Sequence, residues 1–245
     1  MTVVLVHGNP ETEAIWGPLV DALERTDVVR LSPPGFGAPL PDGFPATYLA
    51  YRDWLEGELA AIDGPIDLVG HDWGGGHVVT AMMHRPELVR SWVTDAIGLF
   101  DPDYVWHDVA QIWQTPGDGE QLVDAMMATP VEDWVAQIAT VGMTADIAAD
   151  VWRGHGPEMG RAILAVYRSA PRPADAGRLE NAAARPGLSL LCTADTFGGS
   201  DEMRRRAADR AGARTAVLDG LGHYWMIEDP AGSAAVLSEF WNSID

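Results

Sequence analysis

Short runs of β-branched and aliphatic residues recur along the chain, separated by longer stretches in which apolar positions fall at helical spacing. Val3–Val6, Val28–Leu31, Ile66–Val69 and Val89–Thr94 read as strands. Between them, helices are expected around Trp16–Leu23, around Tyr48–Ile62, and from GHDWGGG to about His84. This alternation predicts βαβ units and therefore a parallel sheet with right-handed crossovers. From about Gly98 to Pro173 the pattern changes. No run there reads as a strand, and helical segments carry Trp106, Trp113, Trp134, Trp152 and Tyr167. Strands resume at Leu188–Cys192 and Thr215–Leu218, and the amphipathic stretch Ala231–Ser243 closes the chain as a helix.

The expected architecture is an α/β fold with a shortened, mostly parallel sheet of about six strands flanked by helices. Residues 1–97 and 174–245 form its core. Residues 98–173 form an inserted helical cap over the carboxyl edge of the sheet, where open α/β sheets place their sites. The chain opens on a strand, which is expected to lie at the sheet edge, exposed or covered by a partner. A homodimer follows as an expectation.

Composition narrows the function classes. The 245 residues suit one domain with a sizeable core, and 47% hydrophobic residues is ordinary for a globular protein. No apolar run approaches the roughly 20 residues that span a bilayer. The opening MTVVLVHG has no basic region and no cleavage site, so no signal peptide is read and a cytoplasmic location is expected. The lone Cys192 allows no internal disulfide, and on a strand it reads as a small buried hydrophobe. The formal net charge is −20, and all 16 basic residues are Arg. Such a chain repels nucleic acid and anionic membranes, so neither is expected as a partner. The run Arg204-Arg205-Arg206 reads as a solvated helix face.

Three segments carry chemistry. Gly70-His71-Asp72-Trp73-Gly74 follows the strand IDLVG and opens a helix, the strand–turn–helix setting of a nucleophile elbow with Asp in the usual Ser position. His7-Gly8-Asn9-Pro10 ends the first strand. Gly220-Leu221-Gly222-His223-Tyr224 follows the last strand and places His223 where it can reach the elbow as a general base. His71 and His77 flank the elbow and read as structural. An acid must orient His223. Asp195, in LLCTADTF, is preferred, and Asp95, at the end of Val89–Thr94, is the rival.

HGNPE, GHDWGG, TADTF and GHYW together resemble the α/β-hydrolase superfamily, in its order and across the whole chain. More closely they look like its epoxide hydrolase and haloalkane dehalogenase branches, which use an Asp nucleophile. The resemblance implies that Asp72 attacks carbon, that His223 activates water, and that Asn9 and Trp73 supply the oxyanion hole or hold the leaving group. The chemistry agrees. A carboxylate attacking an acyl carbon gives an unstable anhydride, whereas attack at a saturated carbon gives an ester that water can hydrolyse.

The two branches differ in the leaving group. Halide leaves as a weak base and needs only N–H donors, whereas the alkoxide of an opened epoxide wants a proton, which Tyr can give. Asn9 and Trp73 match the halide-binding pair of haloalkane dehalogenases. Pro10-Glu11 and LAVYRSA resemble epoxide hydrolases, making Tyr167 the implied acid. A second cap Tyr is usual there. Tyr104 does not match its register, and in QIWQTPG Trp113 stands near the place of a Tyr. Tyr104, Trp106, Trp113 and Tyr224 are expected pocket-lining residues. Hydrolysis of a small apolar epoxide is expected first, dehalogenation second, and a non-catalytic small-ligand receptor third. No cofactor or metal motif is read.

Overall fold

The six runs become six strands: β1 (Thr2–Val6), β2 (Val28–Leu31), β3 (Ile66–Gly70), β4 (Ser91–Thr94), β5 (Gly187–Cys192) and β6 (Ala213–Leu218). The computed structural model describes residues 1–172 and 177–244. The strands join in one sheet of order β2-β1-β3-β4-β5-β6, every pairing parallel. The helices are α1 (Gly17–Leu23), α2 (Tyr48–Ala60), α3 (Asp72–His84), α4 (Asp108–Gln114), α5 (Asp118–Met127), α6 (Val131–Ile138), α7 (Ala145–Trp152), α8 (Pro157–Ser169), α9 (Asp201–Arg210), α10 (Trp225–Glu228) and α11 (Pro230–Asn242). None is long and apolar enough to cross a membrane.

Successive strand side chains point to opposite faces, so one strand feeds two cores. Val3, Leu5, Val69, Val93 and Leu190 pack with Trp225, Leu237, Phe240 and Trp241 on one face. Val4, Val6, Leu68 and Trp92 pack with Leu55, Val78, Val79 and Ala207 on the other. Helices α4–α8 lie between β4 and β5 in the chain, with no strand among them. Trp134, Ile147 and Val151 of α6 and α7 join the first core. Trp113, Val123, Ile163 and Tyr167 of α4, α5 and α8 form a third cluster with Trp73. The expected end of the inserted block, between Pro173 and Ala174, lies outside the described residues.

Three expectations need correction. β1 is not an edge strand: it lies between β2 and β3, and the edges are β2 and β6. Val3–Val6 are fully buried, and an unbroken apolar run needs cover on both faces. The fourth strand starts at Ser91 instead of Val89, because Val89 closes the turn Pro86–Leu88 with its N–H on the Pro86 carbonyl. The Arg run is not a uniform solvated face. Arg204 is buried, donating to the Cys192 carbonyl (2.8 Å) and the Asp195 carbonyl (2.5 Å), and Arg206 pairs with Asp101 and Asp103.

Strand register sets what stands at the carboxyl edge. Val6 pairs with Gly70, and Gly70 with Thr94, so His7–Glu11, His71–Trp73 and Asp95 emerge side by side. Thr94 pairs with Ser189, three residues before the end of β5. The loop carrying Asp195 therefore begins higher than Asp95. Close approach of α3 to β1 is possible only because Gly74 has no side chain. A Cβ there would run into the Val6 carbonyl oxygen. Gly74→Ala is expected to destabilise the fold by about 3 kcal/mol or more, read as a lower urea midpoint at unchanged slope. An unchanged midpoint would show that the helix can shift freely.

Candidate active site

Asp72 opens α3 with φ +50°, a left-handed conformation unusual for a residue with a side chain. Its amide N–H donates to Asp95 Oδ1 (3.0 Å), and its own Oδ1 accepts the Asn9 N–H (3.0 Å). Gly8 is the small residue that admits this carboxylate, since a Cβ at position 8 would strike Asp72 Oδ1. The Trp73 N–H is one of the first amides of α3, which have no intrahelical acceptor. The Asn9 loop thus brings one N–H group to the carboxylate, and the elbow leaves the Trp73 N–H beside it in sequence without an intrahelical acceptor.

His223 Nδ1 meets Asp195 Oδ2 at 3.3 Å. Asp195 Oδ1 accepts the Phe197 N–H (2.8 Å), and Arg204 Nη2 lies 3.9 Å from Oδ2. Asp95, the rival acid, does not reach His223. It is held by the His71 ring (Oδ2 to Nδ1, 2.5 Å), by the Trp225 indole N–H (2.6 Å) and by the Asp72 amide. The lower exit of β4 keeps it there.

A second imidazole lies behind the first. His71 is fully buried, with Nδ1 on Asp95 and Nε2 on Glu11 Oε1 (3.1 Å), and its ring centre is 4.5 Å from that of His223. Glu11 is also buried and accepts the Gly8 N–H through Oε2 (2.9 Å). The sequence marked His71 only as structural and Glu11 only as part of a resemblance. Their partners are 24 and 60 residues apart in the chain, beyond what local spacing reveals. Glu11, His71 and His223 bring one donor atom each within 4.8 Å of one another. Both ring nitrogens of His71 already face carboxylates, an arrangement that holds a proton where a metal would need a lone pair.

A narrow cavity of about 20 Å³, room for roughly one water, opens above the carboxylate. Its walls include Asp72, Trp73, Trp106, Tyr167, Asp195 and His223. Trp106 stacks on Trp73 (5.6 Å, 16°), and Tyr167 stands edge-on to Trp73 at 5.0 Å. Tyr104 lines the cavity, but its hydroxyl donates to the Phe197 carbonyl (2.9 Å). Trp113 and Tyr224 do not line it. Trp113 sits behind Tyr167 (4.8 Å), and Tyr224 packs beneath His223 (5.0 Å) and His71. Asn9 also stays outside the wall, with its side-chain Nδ2 buried and unpaired. His77 stacks on Tyr51 (5.0 Å) away from the cavity. His107 lines the cavity and was not marked by the sequence.

A family model described as the alpha/beta hydrolase family matches residues 3–236. The chain belongs to the alpha/beta hydrolase family. Solved structures agree on the fold. The haloalkane dehalogenase DbeA from Bradyrhizobium elkani USDA94 superposes with TM-score 0.73 at 21% identity, covering 99% of this chain and 91% of that one. An E-2-(acetamidomethylene)succinate hydrolase gives 0.74 at 17% identity, covering 99% and 91%. A serine hydrolase involved in carbazole degradation (CarC enzyme) gives 0.74 at 18%, covering 99% and 91%. No curated protein matches the sequence. Hydrolases of different chemistry thus share this alpha/beta hydrolase frame, and the chemistry must be read from the side chains.

Burial pushes the Asp72 carboxyl up to about 6 against the pull of His223. For His71, burial acts downward, but Asp95 and Glu11 hold it well above its usual value, as an imidazolium. For His223, burial and His71 act downward, and Asp195 and Asp72 raise it above the ordinary 6.5. Burial alone would raise Asp195, but His223 and the Phe197 N–H keep it well below the carboxylate range. The rise at Asp72 has a stability consequence. Folding lifts its pKa from 3.8 to about 6, so ionised Asp72 costs stability that is absent below 3.8 and complete above 6. Asp72→Asn should raise the melting midpoint at pH 8 by roughly 6–12 °C, from about 3 kcal/mol, and by less at pH 5. A lower midpoint at pH 8 would contradict this.

Proposed function

We propose that this alpha/beta hydrolase opens small apolar epoxides to diols, with Asp72 as the nucleophile. The observation that carries the reading is that Tyr167 borders the same cavity as Asp72. Burial and the Asp72 charge keep that phenol protonated, well above its ordinary pKa, while the Trp73 indole N–H acts on its oxygen. The proton is then the part of Tyr167 available to a leaving oxygen.

In the first step Asp72 bonds to an epoxide carbon as the C–O bond breaks. The ring oxygen takes the electron pair and the Tyr167 proton. In the second, His223 removes a proton from water, whose oxygen adds to the ester carbon under the Asn9 and Trp73 N–H groups. Collapse releases the second alkoxide, which takes the proton from His223. The proton left on the Asp72 carboxyl returns to the Tyr167 oxygen, and the balance is epoxide plus water to diol. Asp195 holds the His223 ring for this role. Helices α4–α8 serve as the cap. An epoxide exceeds the present cavity, so the aromatic walls must part to admit it.

A second reading rests on one observation. Asn9 Nδ2 is a buried donor without a partner, as a halide site would require. A panel of styrene-oxide-like epoxides and matched bromoalkanes, scored for diol and halide, separates the two. Tyr167→Phe should slow epoxide opening by roughly 10²-fold or more and leave halide release within about threefold. Equal losses would make Tyr167 a packing residue and favour dehalogenation. The pH profile gives another test. Alkylation needs ionised Asp72 and should fall below about 6. Ester hydrolysis needs neutral His223, which Asp195 biases toward its charged form, and should also fall as the pH drops. Single-turnover traces in which neither step slows on the acid side would contradict these assignments.

A further inference from the structure

Arg204 stands on the buried face of α9 beside Ala207 and Ala208, with 1% of its surface exposed. Arginine is rarely found fully buried, and an interior charge is costly unless it is paired. Here the guanidinium is directed at the turn that carries the proposed catalytic acid. Nη1 donates to the Cys192 carbonyl (2.8 Å) and Nη2 to the Asp195 carbonyl (2.5 Å). These carbonyls are the first and last of a four-residue turn, which the Asp195 N–H already closes onto the Cys192 carbonyl (3.2 Å). A planar fork with a donor on each arm can hold both ends of a turn, whereas an ammonium is a single point.

The two carbonyl bonds account for a clamp. They do not account for a third contact, in which Nη2 lies 3.9 Å from Asp195 Oδ2. That is the oxygen His223 Nδ1 faces at 3.3 Å. One carboxylate oxygen thus lies between the guanidinium and the imidazole. A charge-assisted N–H···O bond is ordinarily about 2.7–2.9 Å, so Asp195 holds His223 loosely. The other ionisable groups around the ring are Asp72 and His71 of the elbow, Glu11 at 4.0 Å from Nε2, Tyr224, His107 of the cap and Glu228 of α10. Tyr104 and Cys192 face Asp195. Asp195 and Asp72 favour a proton on His223, and His71 opposes it. Arg204 acts one step away, by stabilising the charge of Asp195.

We infer that Arg204 is a positioning residue for the hydrolytic half of the reaction, clamping the Asp195 turn and sharing its carboxylate so that His223 is oriented but not held as a cation. It rests on the two-step reading, through the ester-hydrolysis step that epoxide and halide substrates have in common. His223 takes a proton from water only when neutral. An unshared Asp195 would pull harder on the imidazolium and leave less of the neutral base at a given pH.

Arg204→Met keeps an unbranched side chain in the buried slot and removes the charge. The midpoint of His223 protonation, followed by NMR without substrate, should move up by about one pH unit. In single turnovers the acid limb of ester hydrolysis should move with it, slowing hydrolysis about tenfold below the midpoint, while ester formation on Asp72 stays within about threefold. Arg204→Lys returns the charge without the fork, and should bring the midpoint most of the way back. Should Arg204→Met fail to fold, Arg204→Gln, which keeps one donor for the turn, carries the same expectation. An unshifted midpoint, equal slowing of both steps, or no difference between Arg204→Lys and the uncharged variant would overturn the assignment and leave Arg204 as a fold clamp only. If the wild-type protein forms no ester on Asp72, the two-step reading falls and the catalytic role with it, whatever the NMR midpoint shows.

Discussion

The site depends on one strained residue held in place from three sides. Asp72 sits at positive φ with a full side chain, a conformation that costs on the order of 1–3 kcal/mol and persists only when its surroundings over-determine it. Here they do. Asp95 takes its amide, the Asn9 amide takes its carboxylate, and Gly8 and Gly74 let the loop and α3 close in with no side chain between them. Asp95 is itself fixed by His71 and Trp225, so the turn is anchored in the buried layer under the sheet edge. The strain lifts the carboxylate to the cavity wall. A relaxed turn would release its grip on that position.

The same anchor gives two neighbouring imidazoles different electrostatic settings. His71 has a carboxylate on each ring nitrogen and is held as a cation. It ties the Asp72 turn, through Asp95, to the Gly8–Asn9 loop, through Glu11. His223 has Asp195 on Nδ1 at 3.3 Å, its charge shared with Arg204 and the Phe197 N–H, and only a more distant carboxylate, Glu11, 4.0 Å from Nε2. The positive His71 ring at 4.5 Å opposes a proton on His223 and offsets part of the pull of Asp195 and Asp72. One histidine is thereby suited to structure and the other to proton exchange, though the residue type is the same.

Much of the frame was legible before any coordinates, for physical reasons. Strands such as Val28–Leu31 and Ile66–Gly70 are short β-branched runs with turn residues beside them, and a sheet covered on both faces requires that pattern. The elbow was legible because a sharp strand-to-helix turn needs Gly70 and Gly74 around one exposed side chain. What escaped depends on register and on pairings distant in sequence. The sequence preferred Asp195 to its rival Asp95, but the physical reason, the three-residue stagger of β5 beyond β4, appears only in the sheet register. His107 reads as an ordinary polar residue until α4 is seen to start immediately after it. Arg204 looks solvated in its run, and the loop carrying Asp195 folds back over it.

The central claim is that the Asp72 carboxylate becomes covalently bound to the substrate carbon and is regenerated by water. It is tested most directly by one turnover of an epoxide with excess enzyme in H₂¹⁸O, followed by mass analysis of the peptide containing residue 72 and of the diol. The account predicts one ¹⁸O in the Asp72 carboxylate and an unlabelled diol. A labelled diol with an unlabelled Asp72 would mean that water attacks the epoxide directly, and would contradict it.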